Sequence, residues 1–183
     1  MALWGISTSD ESKPKWLSDD DKKRTFADSR GWVYTQPGGM EEVLCAIGSL
    51  STSLAAATIT SIEFVTTSIG EAAGGNIDIR VNYNEKVTVD TYGGTPTLTV
   101  TNSQAGAGTD ATFAASYQSG SSTNRLVFRA TYGAADGGIA EDDVLSVAAQ
   151  NIALNSGTIV DTGTAVNSGV AIPANTISLT VSA

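Results

Sequence analysis

The chain contains no histidine and one cysteine, Cys45, in 183 residues. Without histidine there is no Ser-His-Asp or Cys-His catalytic set and no His-ligated zinc. A lone cysteine rules out an internal disulfide framework. Cys45 lies in VLCAI at 43–47, with no basic neighbour in sequence to favour the thiolate, so a small buried apolar residue is expected there. Basic residues are also scarce, 10 against 19 acidic, for a net charge of −9. That balance argues against a nucleic-acid partner bound through its phosphates. Long apolar runs are missing: LAAA at 54–57 falls far short of the about 20 residues of a membrane helix, so no membrane partner is expected. The opening MALWGISTSDESKPK has neither the basic stretch nor the apolar core of a secretory signal, so export by that route is not expected.

The strongest pattern that is present runs from 76 to 101. Ile77, Ile79, Val81 and Tyr83 alternate with Asp78, Arg80 and Asn82, as in a strand with one buried face. Val87 and Val89 continue the alternation, YGGTP at 92–96 supplies turn residues, and Leu98 and Val100 resume it between threonines. Three strands in so short a stretch predict an antiparallel β domain. Further strands are expected at 59–65, 112–117, 125–131, 144–147, 152–154, 158–160 and 177–181, with a single helical turn near 141–145. Short strands spaced by Gly, Ser, Asn and Asp predict an all-β fold of two packed sheets.

These strands carry a family likeness. Tyr83, Glu85, Val87, Gly94-Thr95-Pro96, Leu98, Tyr117, Ser119-Gly120-Ser121, Leu126, Phe128, Tyr132, Gly157, Ile159 and Asp161 fall where the bacterial immunoglobulin-like repeats of large surface adhesins carry their recurrent residues. The stretch from 59 to 183 resembles that family. The likeness implies an immunoglobulin-like β-sandwich, assigned here to 56–183, and names a scaffold rather than a chemistry.

Residues 1–55 differ in kind. All three tryptophans, Trp4, Trp16 and Trp32, and six of the ten basic residues lie in the first fifty positions. Ser18, then Asp19-Asp20-Asp21, then Lys22-Lys23-Arg24 places an N-cap and acids at a helix start and bases at its end, predicting a helix over about 18–27. GWVYT, QPGGM and EEVLCAI predict a β-hairpin turning at 37–39. Trp4 and Trp16 sit among Ser, Thr, Asp, Lys and Pro without periodic apolar partners. The bland reading makes the tryptophans ordinary core. The sharper one makes Trp4, Lys13, Lys15, Trp16, Leu17 and Trp32 a partner-binding set, aromatic anchors with a basic rim.

Trp4-Gly5, the run from Glu11 to Leu17, Phe26-Ala27, Arg30 to Val33, Glu41 to Leu44, Ala46-Ile47-Gly48 and Leu50 resemble the opening of a group of small virion structural proteins of marine tailed phages, chiefly T4-like cyanophages. There the opening is joined to differing C-terminal parts, which implies an attachment element with interchangeable modules. Cys45 and Ser49 depart from the apolar residue and the glycine expected at those positions.

Chemistry-bearing constellations are weak. The loop DGGIAEDD at 136–143 holds four carboxylates but lacks the spacing that wraps Ca²⁺, and is read as a solvated turn. GEAAGG at 70–75 has no following Lys-Ser/Thr and is no phosphate cradle. Glu63, Glu85 and Asp161 are carboxylates that sequence alone does not bring together. No catalytic residue, metal or cofactor is assigned, and no enzymatic activity is expected. The resemblances imply a phage virion structural protein on the outer surface of the particle. It would be a multicopy capsid decoration or cement protein, docked through its N-terminal segment on the major capsid protein or another virion protein. Self-association stays open. The alternative is a binding module that grips host-surface glycan from a head fibre or tail; an exposed loop aromatic would favour it.

Overall fold

The computed structural model describes residues 14–28, 30–46, 56–72, 74–106, 108–133, 138–173 and 177–182. Among them the chain is all-β apart from one short helix, with strands gathered into a three-stranded and a nine-stranded sheet.

Helix α1 (Asp19–Lys23) starts as the sequence predicts, with the Ser18 hydroxyl accepting from the Asp21 amide at 3.1 Å, but it stops early. Residues 25–28, read as its last turn, form strand β1 (Thr25–Asp28) instead. Two local causes are visible. The Thr25 hydroxyl donates to the Asp21 carbonyl at 2.8 Å, occupying an acceptor at the helix end, and Phe26 is drawn into the interior at 1% exposure. Strand β1 pairs with β2 (Gly31–Thr35), and β2 pairs with β3 (Glu41–Ala46), both antiparallel. The β2–β3 hairpin turns through Gln36-Pro37-Gly38-Gly39, where Gly39 has φ +85, a value side-chain-bearing residues rarely adopt.

The large sheet runs β11-β6-β9-β8-β7-β10-β12-β5, with β4 also paired to β6. Its elements are β4 (Ile59–Phe64), β5 (Ile69–Gly70), β6 (Gly75–Asp90), β7 (Thr97–Asn102), β8 (Thr112–Ser119), β9 (Thr123–Tyr132), β10 (Val144–Val147), β11 (Thr158–Asp161) and β12 (Ile177–Ser182). All pairings are antiparallel except β12 with β5. The region 76–101 therefore holds two strands, not three. Strand β6 is continuous across 16 residues because a wide register shift against β9, between Asn82 and Val87, lets it bend without ending. One edge of β6 takes β4 along its first half and β11 along its second. Of residues 152–154 only Ala153 pairs, in an isolated bridge to Thr97, and the expected helical turn near 141–145 is a turn leading directly into β10.

The sheet curls until β12 lies near β4 and encloses one continuous core. Its members follow the alternation: Ile77, Ile79, Val81, Tyr83 and Val87 from β6, with Leu98, Val100, Leu126, Phe128, Leu145, Val147, Ile159 and Val181 from its neighbours. Each fully buried aliphatic or aromatic side chain here contributes about 1.5–3 kcal/mol relative to exposure. Tyr117 packs edge-on against Phe128 at a centroid distance of 6.0 Å. Phe26, Trp32 and Val33 are buried in the small sheet and are not members of that core.

Candidate functional site

Of the six residues expected to bind a partner, four are described: Lys15, Trp16, Leu17 and Trp32. Trp4 and Lys13 lie outside the described residues. Lys15 is exposed and Leu17 is half-buried, in a turn closed by the Leu17 amide on the Pro14 carbonyl at 3.3 Å. Trp16 stands out at 73% exposure. Trp32 does not belong with it: β2 is the central strand of the small sheet and Trp32 is 1% exposed, so it is core and offers no face to a partner. Cys45 is corrected in the other direction. It is exposed: among the described residues β3 is an edge strand, and its residues are exposed apart from a half-buried Leu44. Val43 on the same strand is 41% exposed and Met40, at the hairpin end, 68%.

The small sheet lies with β1 against β6. Between the hairpin and the outer face of β6 and β9 is a cleft of ≈ 390 Å³, walled by Arg24, Phe26, Pro37, Arg80, Lys86 and Arg125 among others. Its seam is polar. The Lys23 ammonium reaches Glu63 at 2.8 Å, Glu63 also holds Arg80 at 3.2 Å, and Asn124 donates to the Lys23 carbonyl at 3.4 Å. Lys86 pairs with Glu41 and sits 4.9 Å from the centre of the Phe26 ring. Burial pushes the Glu63 carboxyl up, but the hydrogen bond and charge of Lys23, and then those of Arg80, outweigh it and hold the group below its ordinary range. Glu41 is held low by Lys86 and then Arg30. Arg125 differs from these paired groups: burial, then the neighbouring charges of Arg80 and Arg24, disfavour its cationic form. Sequence reasoning missed this cleft because Arg24, Arg80 and Arg125 are far apart in the chain.

Of the carboxylates singled out from sequence, Glu85 and Asp161 do meet. Burial, then Asp161's charge and its hydrogen-bond contact, push the Glu85 carboxyl up to about 7. Asp161 is 1% exposed; its Oδ1 accepts from the Gly163 and Thr164 amides, each at 2.8 Å, while its enclosed Oδ2 has no donor. A proton on Glu85 supplies that donor. Two carboxyls in hydrogen-bond contact leave no room for a glycosidic bond between them, since hydrolysis needs roughly 5–9.5 Å. In the loop 136–143, Asp136 lies outside the described residues, and Asp143 is fully buried rather than solvated. Its Oδ1 accepts from the Gly106 amide at 2.7 Å, and its Oδ2 from Asn102 at 2.8 Å and the Ala140 amide at 2.9 Å. This carboxylate ties two loops together. Among the described residues no cluster of three or more His, Cys, Asp or Glu could hold a metal ion, and no helix is long and apolar enough to cross a membrane.

Comparison of the chain with family models, curated proteins and solved structures gives no match.

Proposed function

We propose that the chain is a virion structural protein of a tailed phage, a multicopy capsid decoration or cement protein on the outer surface of the particle. In this reading the N-terminal segment attaches to the major capsid protein or another virion protein, and the curled sheet, an immunoglobulin-like sandwich, projects outward. The protein is not an enzyme on this account.

The observation that supports it is where exposed apolar surface collects. Among the described residues, Trp16, Met40 and Val43 are three of the six large exposed hydrophobics and all fall within 14–46, the stretch that also holds β3, which has one strand neighbour there. Exposed aromatics and open strand edges are what a docking surface uses. The test is occupancy on reconstituted particles. Trp16→Ala is expected to weaken incorporation by about thirtyfold or more, the equivalent of ~2 kcal/mol for a lost aromatic anchor, with an unchanged melt of the free protein. Replacing Lys13 and Lys15 is expected to weaken it less, and in a salt-dependent way. Full occupancy by Trp16→Ala would move attachment elsewhere.

One observation favours the second reading, a module that grips host-surface glycan. Tyr92 is 100% exposed on the turn after β6, with its amide donating to Asp90 at 2.8 Å. The turn is pressed so close to residues 155–156 that a Cβ on Gly94 would lie 1.7 Å from the Asn155 carbonyl oxygen, so the tyrosine is displayed on a rigid support. Host-cell binding lost in Tyr92→Ala, with particle occupancy intact, would select this reading.

A further inference from the structure

We infer that the cleft between the hairpin and the outer face of β6 and β9 binds the oxyanion of a small acidic sugar. This site shares the hairpin with the attachment surface proposed above but does not include Trp16, Met40 or Val43. Its charge runs against that of the molecule: among the described residues, four basic side chains, Arg24, Arg80, Lys86 and Arg125, line it with one carboxylate, Glu41, in a chain of net charge −9. Two of the four are committed to partners, Arg80 to Glu63 and Lys86 to Glu41.

Arg125 is held differently. It is half-buried, and its Nε is enclosed with no hydrogen-bond partner. Guanidinium groups brought together and partly withdrawn from water repel one another, and an enclosed donor without an acceptor is costly. An anion in the cleft relieves the repulsion among the guanidinium groups that line it, and the planar guanidinium fork suits the two oxygens of a carboxylate or sulfate.

Size and lining decide between a bare ion and a larger ligand. A cavity of ≈ 390 Å³ falls within the range of about 300–1,000 Å³ typical of small-molecule sites, whereas a lone phosphate or sulfate would leave most of it vacant. Phe26, Pro37 and Val127 give it apolar wall, while Ser119 and Ser122 supply hydroxyls of the kind that meet a sugar's own. A carboxylate- or sulfate-bearing monosaccharide matches that combination, and a neutral sugar does not.

The test is calorimetric titration of the full-length protein at low salt with D-glucuronate, D-glucose and inorganic sulfate, beside Arg125→Gln and Arg24→Gln. Glucuronate is expected to bind, glucose not, and Arg125→Gln to weaken glucuronate at least about tenfold, the loss typical of a charge-assisted hydrogen bond. Arg24→Gln keeps the test decisive if Arg125→Gln alters the melt; it is expected to weaken glucuronate by several-fold. Absence of glucuronate binding, affinity unchanged in a folded variant, or binding of sulfate with none of glucuronate would each overturn the assignment.

Discussion

The two sheets of this protein are held by different forces. The large sheet closes over one continuous apolar core that includes Tyr83, Phe128 and Leu126, all fully buried. The small sheet has only Phe26, Trp32 and Val33 as its large buried side chains among the described residues, and it and the adjoining helix α1 meet the large sheet through the charged pairs Glu41–Lys86 and Lys23–Glu63. A region with few buried apolar contacts and a charged seam opens locally at lower free energy than a closed core. Acid, salt and single substitutions should therefore reach the small sheet before the large one.

Truncating one large aromatic in each sheet gives the largest expected effect. Phe128→Ala should cost about 3–5 kcal/mol of global stability, seen as a lowered main melting transition. Trp32→Ala removes a side chain of the same class, yet its effect should be confined: amide exchange across 25–46 accelerates while β6 and β9 keep their protection. If Trp32→Ala lowers the main transition as far as Phe128→Ala does, the sheets unfold as one unit and the comparison fails.

The same contrast explains what could be read in advance. The hairpin of β2 and β3 was legible because QPGG is turn chemistry in a stretch that decides its own conformation. Most strands of the large sheet were legible from alternation. The end of α1 was not, because the pull of Phe26 into the interior is tertiary. Nor was the continuity of β6: Asn84 looks like a break, yet it is buried, and its Oδ1 accepts from the Thr58 amide at 2.7 Å across 26 positions. Trp32 is buried and Cys45 exposed for one reason, whether the strand is central or at the edge among the described residues, and residue type does not carry that. The meeting of Glu85 with Asp161 and the cation-lined cleft depend on register between distant strands, which no local pattern carries.

The second effect is one of pH, and its sign separates the sheets. Glu85 is raised to about 7, so its contribution is fully present below its ordinary value and lost as pH rises through about 7. From about pH 5 to about pH 8 the large sheet should lose roughly 1–2 kcal/mol, a figure reduced from the full linkage value because Glu85 is only partly buried. Glu85→Gln keeps a donor for Asp161 and should flatten the dependence. A melt of the unmutated protein that is level across this range would remove the shared proton. Glu63 and Glu41 are held low instead, so their contribution is present above the ordinary carboxylate range and lost as pH falls through their lowered values. Base should weaken the large sheet and acid the seam.

The smallest effect sharpens the comparison most, because it acts on the seam alone. Glu63 of β4 ties the large sheet to the end of α1, which leads into the small sheet, reaching Lys23 at 2.8 Å and Arg80 of β6 at 3.2 Å with its side chain 25% exposed. Glu63→Gln keeps its shape and removes its charge. Partly exposed ion pairs contribute about 0.2–1 kcal/mol each, so amide exchange across 25–46 should quicken about two- to fivefold at neutral pH, with the main melt unmoved. Two conditions should erase the difference between the variant and the unmutated protein: acid, which protonates Glu63, and high salt, which screens the pair. The substitution also releases Arg80 toward the cleft, where its charge adds to those of Arg24 and Arg125, so glucuronate should bind the variant more tightly while the small sheet is held less firmly. Opposite changes in affinity and in protection would show that Glu63 restrains both the seam and the cleft. Parallel losses would instead mean that the cleft exists only while the seam is closed.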